Sequence, residues 1–119
     1  MKSNSMNSLL RIFVSSTDKL NQDLLSEYIV LAAKKEGIAG ATVLKGILGF
    51  GASSVIHSNK FWEVSDKVPV IIEVVDEEIK VRNFYESIRP QLELMRYGCL
   101  VTIENVEVVL FKTGKIKNQ

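Results

Sequence analysis

The stretch Val68–Val75, VPVIIEVV, is interrupted by a single charged residue, Glu73. A run of eight residues this apolar and β-branched is too short for a buried helix and reads as a strand in the middle of a sheet, with both faces in need of cover. Pro69 stands near its start, where a missing N–H does least harm to a ladder. The rest of the chain must therefore supply flanking strands and helices.

It does so in a legible order. Residues Leu9 to Ser15 alternate, with Leu10, Ile12 and Val14 on one face and Arg11 and Phe13 on the other. Ser16, Thr17 and Asp18 are turn formers, and Asn21 is the expected N-cap of a helix from Gln22 to Glu36. Its apolar positions, Leu24, Leu25, Tyr28, Ile29, Leu31 and Ala32, follow helical spacing, and Lys34 and Lys35 suit the negative end of the dipole. Gly37 is expected to end it in the left-handed conformation. Ala41 to Leu48 reads as a second strand with Lys45 as its charged residue. Asp76 is the expected cap of a second helix, with Glu77 and Glu78 in its first turn and Val81, Phe84, Tyr85, Ile88, Leu92 and Met95 as its buried stripe. Pro90 predicts a kink or break near Ile88–Arg89, and Gly98 the end. Cys99–Glu104 reads as the last main strand and Val106–Phe111 as a shorter one.

The order β-α-β-β-α-β with an added strand predicts an α+β, ferredoxin-like antiparallel sheet with two helices on one face. In that topology Leu9–Ser15 and Val68–Val75 are central. Phe13, Val43, Ile47, Ile71, Val75, Val101 and Ile103 cannot all lie under two helices together with Ile12, Val14, Ile72 and Val74. The second face of the sheet thus stays apolar, which predicts oligomerisation through it.

At 119 residues the chain is expected to form one domain over 1–119, with a core at about 9–111 and flexible ends at 1–8 and 112–119. Fifteen Lys and Arg against fourteen Asp and Glu, net +1, give no general drive toward nucleic acid. One cysteine, Cys99, cannot form an internal disulfide and is expected to be a small buried hydrophobe. The first residues, MKSNSMNS, lack the apolar region of a signal peptide, and no run reaches the roughly 18–20 apolar residues of a membrane span. A cytoplasmic protein, not itself a membrane protein, is the expectation.

Function is concentrated in Gly37–His57, GIAGATVLKGILGFGASSVIH, and in the 49–67 connection that it opens. A structureless connection of that length is usually functional or mobile. Gly49, Phe50, Gly51, Ser53 and Ser54 offer backbone N–H groups and hydroxyls to an anion. Lys45, Lys60, Lys67 and Arg11 could add charge, although Arg11 is as well placed to pair with Glu73 on the neighbouring central strand. Phe50, Phe61 and Trp62 are loop anchors or partner contacts. The glycine spacing from Gly46 to Gly51 imitates a P-loop, but Ala52 stands where the lysine is needed and no helix opens there. Gly49 and Gly51 begin a dinucleotide fingerprint whose third glycine is replaced by Ser54. The lone histidine, His57, lies among Ser53, Ser54, Ser58 and Lys60, which permits an enzymatic reading without assigning catalytic residues. One histidine and one distant cysteine fall short of a metal site, and no cofactor is indicated.

GIAGATVLKGILGFGASSVIH followed by SDKVPVIIEVVDEE resembles a PII-like family catalogued as a domain of unknown function, number one hundred and ninety. The likeness spans about residues 9–111. It implies a fold similar to PII signalling proteins: trimers with inward-packed sheets, ligand clefts between subunits and a long loop that reaches partners. Two departures stand out. The PII turn that holds nucleotide phosphates, between the second helix and the next strand, is here only Arg96-Tyr97-Gly98. No tyrosine lies in 49–64 to accept a uridylyl group. The expectation is a homotrimeric sensor that binds a small anionic ligand, a nucleotide among the candidates, through Lys45, Gly49, Phe50, Gly51, Ser53, Ser54, His57 and Lys60. It would act on a partner protein through the 49–67 loop. The alternative is a small hydrolytic or isomerising enzyme using His57 in the same cleft.

Overall fold

The structure is a computed structural model that describes residue 1 and residues 6–51 and 67–115. Four strands form one antiparallel sheet: β1 (Asn7–Ser15), β4 (Ala41–Lys45), β5 (Pro69–Glu77) and β6 (Leu100–Val106), in the order β4-β5-β1-β6. The two central strands are β1 and β5, the pair that alternation and apolarity single out in the sequence. A two-residue-by-two-residue ribbon, β2 (Lys19–Leu20) with β3 (Asp23–Leu24), precedes helix α1 (Leu25–Lys35), and α2 is Glu78–Leu94. The fold is the expected α+β arrangement of two helices on an antiparallel sheet.

The register separates two faces. Toward the helices lie Leu10, Ile12 and Val14 of β1 and Val70, Ile72 and Val74 of β5, all buried. Helix α1 covers them with Leu25, Ile29 and Ala33, and α2 with Val81, Phe84, Ile88 and Leu92. The spacing of three and four residues keeps each helix's apolar stripe on the sheet. Because Ile12 pairs with Val101, Leu10 with Ile103 and Ile72 with Val43, these three flanking residues also belong to the helix side, not to the open face. Ile47 lies beyond β4, almost wholly exposed. On the open face an apolar row crosses all four strands: Leu44, Ile71, Phe13 and Leu100. Beside it runs Thr42, Glu73, Arg11 and Thr102.

Several local expectations are corrected, each for a physical reason. Asn21 does not cap α1. It takes the left-handed conformation, φ 58°, in the turn between β2 and β3, a conformation asparagine tolerates better than most residues. The helix therefore starts at Leu25, without a side-chain cap on Leu24. Asp76 still belongs to β5, and the N-cap of α2 is Glu77, the last residue of that strand. Helix α2 continues through Pro90 because Ile88 and Leu92, on either side of it, are both held in the core. It ends at Leu94, with Met95 rather than Gly98 as its cap. The second strand stops at Lys45, and Val106 belongs to β6, while residues 107–115 form no strand. Val106 lies opposite Asn7, where β1 begins, so past Val106 the chain runs beyond the end of its neighbouring strand. Gly37 behaves as expected: φ is 79°, with its N–H on the Lys34 carbonyl at 3.2 Å and Ile38 N–H on the Ala33 carbonyl at 3.0 Å.

Candidate functional site

Antiparallel pairing brings the ends of β1 and β4 and the starts of β5 and β6 to one end of the sheet. That end carries the root of the long connection. Its outgoing arm leaves β4 at Lys45 and turns at Gly46, whose N–H donates to the Pro69 carbonyl at 2.7 Å. A Cβ on Gly46 would lie 2.9 Å from Pro69 Cγ, and one on Gly49 3.1 Å from the same atom. Both glycines are therefore used for close approach to a proline ring. The returning arm is tied twice to the turn after β1: Ser16 N–H donates to the Val68 carbonyl at 2.8 Å, and Val68 N–H donates to Ser16 Oγ at 3.0 Å. Replacing Gly46 with Ala should cost about 1–3 kcal/mol through overpacking on Pro69, read as a lower denaturation midpoint with an unchanged m-value.

Of the residues expected to form the site, Lys45 is exposed at the end of β4, and Gly49, Phe50 and Gly51 follow on the outgoing arm, also exposed. Ser53, Ser54, His57 and Lys60 lie outside the described residues, as do Phe61 and Trp62. Lys67 is exposed on the returning arm. Arg11 is not part of this end. It sits on the open face with Nε on Glu73 Oε2 at 2.9 Å and Nη1 on Glu104 Oε1 at 2.5 Å. These two hydrogen bonds, to Glu73 first and then to Glu104, raise its already high pKa. The expected pairing of Arg11 with Glu73 is present, with Glu104 as an additional partner.

Three residues here were given no interaction by sequence reasoning, which read them only as parts of turns. Asp18 is buried, accepts Ser15 N–H on Oδ2 at 2.9 Å, and through its own carbonyl accepts Leu25 N–H at 2.8 Å. It thereby fixes the turn that meets Val68 to the start of α1. Its second carboxylate oxygen has no hydrogen-bond partner among the described residues. Arg96 lies over the Tyr97 ring, 5.0 Å from its centre, a cation–π distance. The hydrogen bond from Arg96, followed by one from the Lys19 backbone, lowers the Tyr97 pKa. Burial, with the Asp18 charge behind it, raises that of the half-buried Cys99 thiol. The turn signal of Ser16-Thr17-Asp18 could have pointed to Asp18, but nothing local marks Arg96 and Tyr97.

Within one chain these groups stand at opposite edges. Lys45 and the glycine arm are beside β4, Arg96 and Tyr97 precede β6, and three strand spacings, roughly 14 Å, separate the edge strands. The β4 side offers a cation and exposed backbone, which suits an anion. Among the described residues no group of three or more His, Cys, Asp or Glu could hold a metal ion, and no helix is long and apolar enough to cross a membrane.

The sequence profile of the DUF190 family, described as Uncharacterized ACR, matches residues 7–108. A UPF0166 protein of Aquifex aeolicus is 35% identical over 101 residues, covering 85% of this chain and 91% of that protein. A UPF0166 protein of Methanocaldococcus jannaschii is 36% identical over 101 residues, covering 84% and 89%. Among solved structures, CPII from Thiomonas intermedia K12, bound to ADP, AMP and acetate, superposes with a TM-score of 0.61 at 16% identity, over 87% of this chain and 89% of that one. A protein described as PII-like and signaling, from Thermus thermophilus, gives 0.59 at 23% identity, over 88% and 91%. At these identities the structural likeness establishes the PII-like fold.

Proposed function

The chain belongs to the DUF190 family, and we propose that it is a cytoplasmic, homotrimeric PII-like sensor rather than an enzyme. In this reading a small anionic ligand, a nucleotide foremost, binds between subunits at the loop end of the sheet. Residues 49–67 then engage or release a partner protein. The observation that carries the reading is the root of the long connection. Gly46 and Gly49 fix the outgoing arm on Pro69, so Lys45 and the backbone of 49–51 stand exposed at a defined place rather than trailing in solvent. The ligands of the structural neighbour, ADP and AMP with acetate or bicarbonate, support an anion as the class. In this proposal Ser53 and Ser54 add hydroxyl donors beside the glycines, and His57 and Lys60 would close over the ligand.

A thermal-shift screen of adenine nucleotides, bicarbonate and small carboxylates tests it, since a ligand at about 100 times its Kd adds roughly 2.7 kcal/mol. A charge-assisted contact is worth roughly 1.5–3 kcal/mol. Lys45→Ala should therefore weaken the anion that responds by about ten-fold to a hundred-fold, measured by calorimetric titration. Unchanged affinity in both Lys45→Ala and Gly51→Val would place the site elsewhere. A screen without any response would remove the sensor reading.

A further inference from the structure

A buried acidic side chain is unfavourable when one of its oxygens has nothing to accept. Asp18 is in that position. Only 2% of the residue is exposed, Oδ2 accepts Ser15 N–H at 2.9 Å, and Oδ1 is buried without a hydrogen-bond partner among the described residues. A guanidinium stands close by with weak contacts of its own. Arg96 is exposed, 5.0 Å from the centre of the Tyr97 ring, and its Nη2 is 3.5 Å from the Tyr97 hydroxyl, the outer limit of a hydrogen bond. A short path joins the two. The Tyr97 hydroxyl also accepts the N–H of Lys19, the residue after Asp18, and the Asp18 charge acts on both Arg96 and Tyr97.

The turn that carries Asp18 is a junction. Its Ser16 holds Val68, on the returning arm of the long connection, by two hydrogen bonds. The Asp18 carbonyl accepts the Leu25 N–H that opens α1. We propose that Arg96 is a latch with two seats, the one over Tyr97 and a second on Oδ1 of Asp18, where it ties the α2–β6 connection to the turn that holds the returning arm.

Leaving the first seat gives up an exposed cation–π contact and one long hydrogen bond, both weak. Reaching the second gives a buried oxygen a charge-assisted donor, the stronger kind of contact. Arginine suits the move better than lysine, because its guanidinium is less strongly hydrated and keeps further N–H groups for the Tyr97 hydroxyl or for water. Desolvation of the guanidinium opposes the gain, so the two seats are close in free energy and the element is bistable. The latch needs neither a ligand nor a second copy, and it stands apart from the sensor reading. Through Asp18 and Ser16 it couples the α2–β6 connection to the root of the 49–67 loop within one chain.

Amide exchange followed by NMR on the full chain tests it. Val68 N–H, the donor to Ser16 Oγ, reports the tie on the returning arm. Ile72 N–H, in the middle of β5, reports global opening. A hydrogen bond between charged groups changes such an equilibrium by about tenfold or more. Arg96→Gln should therefore speed exchange at Val68 about tenfold relative to Ile72. Asp18→Asn keeps an oxygen for Ser15 N–H but removes the charge of the second seat, and should act to the same degree. In the double variant the effects should not add, because each removes the same contact. The guanidinium N–H groups of Arg96 should exchange more slowly than those of free arginine in the wild type, and lose that protection in Asp18→Asn. Unchanged exchange at Val68 in Arg96→Gln, or an equal effect of Arg96→Gln in the Asp18→Asn background, overturns the latch. If circular dichroism finds Asp18→Asn unfolded, the wild-type Arg96 guanidinium decides alone: protection supports the second seat, and exchange as fast as in free arginine overturns it.

Discussion

Replacing Asp76 with Ala should lower stability by about 3 kcal/mol or more, within the range for breaking a buried charged pair. The Asp76 side chain is fully buried where β5 runs into α2. Its Oδ2 accepts Ala39 N–H at 2.9 Å and its Oδ1 accepts Glu77 N–H at 2.7 Å. Lys80 Nζ stands 3.4 Å from Oδ2 and donates to the Gly37 carbonyl at 2.8 Å. One carboxylate thus joins the turn after α1 to the first turn of α2, and its loss strands an amide on each. Burial by itself would raise its pKa, but the Glu77 and Ala39 amides and then Lys80 outweigh it and hold the carboxyl below the usual range.

That direction fixes the sign of the pH dependence. A folded-state pKa below the unfolded one means the unfolded chain binds the extra proton. The stabilisation is complete above the ordinary aspartate pKa, about 4, and is lost as pH falls through the lower folded value. Denaturant midpoints measured from pH 7 down to pH 3 should converge for wild type and Asp76→Asn as acid is added. A constant gap across that range would count against the carboxylate as the source.

Asp76 also shows what was legible in the sequence. Its place before two glutamates and an apolar stripe marks a helix start, and the helix is there. The residue nevertheless serves a turn 37 positions away in sequence, which local pattern cannot register. The same division holds elsewhere. Alternation in Leu9–Ser15 and apolarity in Val68–Val75 are local properties, and they identify the central strands and the buried face of β1. The facing of Val43, Val101 and Ile103 depends on register between strands, so composition misplaced them. Pro90 is a local helix breaker overruled by Ile88 and Leu92 in the core. At the candidate site the glycines and Lys45 are visible in sequence. Their reason for being there, the ring of Pro69, is 23 residues beyond Gly46 and visible only in the fold. Arg96 and Tyr97 carry no periodic or motif signal.

Ile71→Glu should convert the proposed trimer, three times the 13.3 kDa chain mass, to a monomer. Ile71 lies in the apolar row Leu44–Ile71–Phe13–Leu100, on the face that no helix of the described residues covers. Its neighbours along β5, Val70 and Ile72, are buried under the helices, whereas Ile71 is only partly buried in the isolated chain. A glutamate there is therefore mild for the monomer, since a substitution away from the core usually changes stability by only about 0.5 kcal/mol. Packed against another sheet it becomes an unpaired charge in a dry contact. A penalty of about 4 kcal/mol is typical of that situation and lowers an association constant roughly a thousandfold. The adjacent Arg11 offers no rescue, because Glu73 and Glu104 already hold it. Ile71→Val keeps the row apolar and should leave the mass unchanged. Light scattering at micromolar concentration, with circular dichroism to confirm that each variant is folded, separates the outcomes. Full mass in Ile71→Glu would mean that the open face is not where the copies meet.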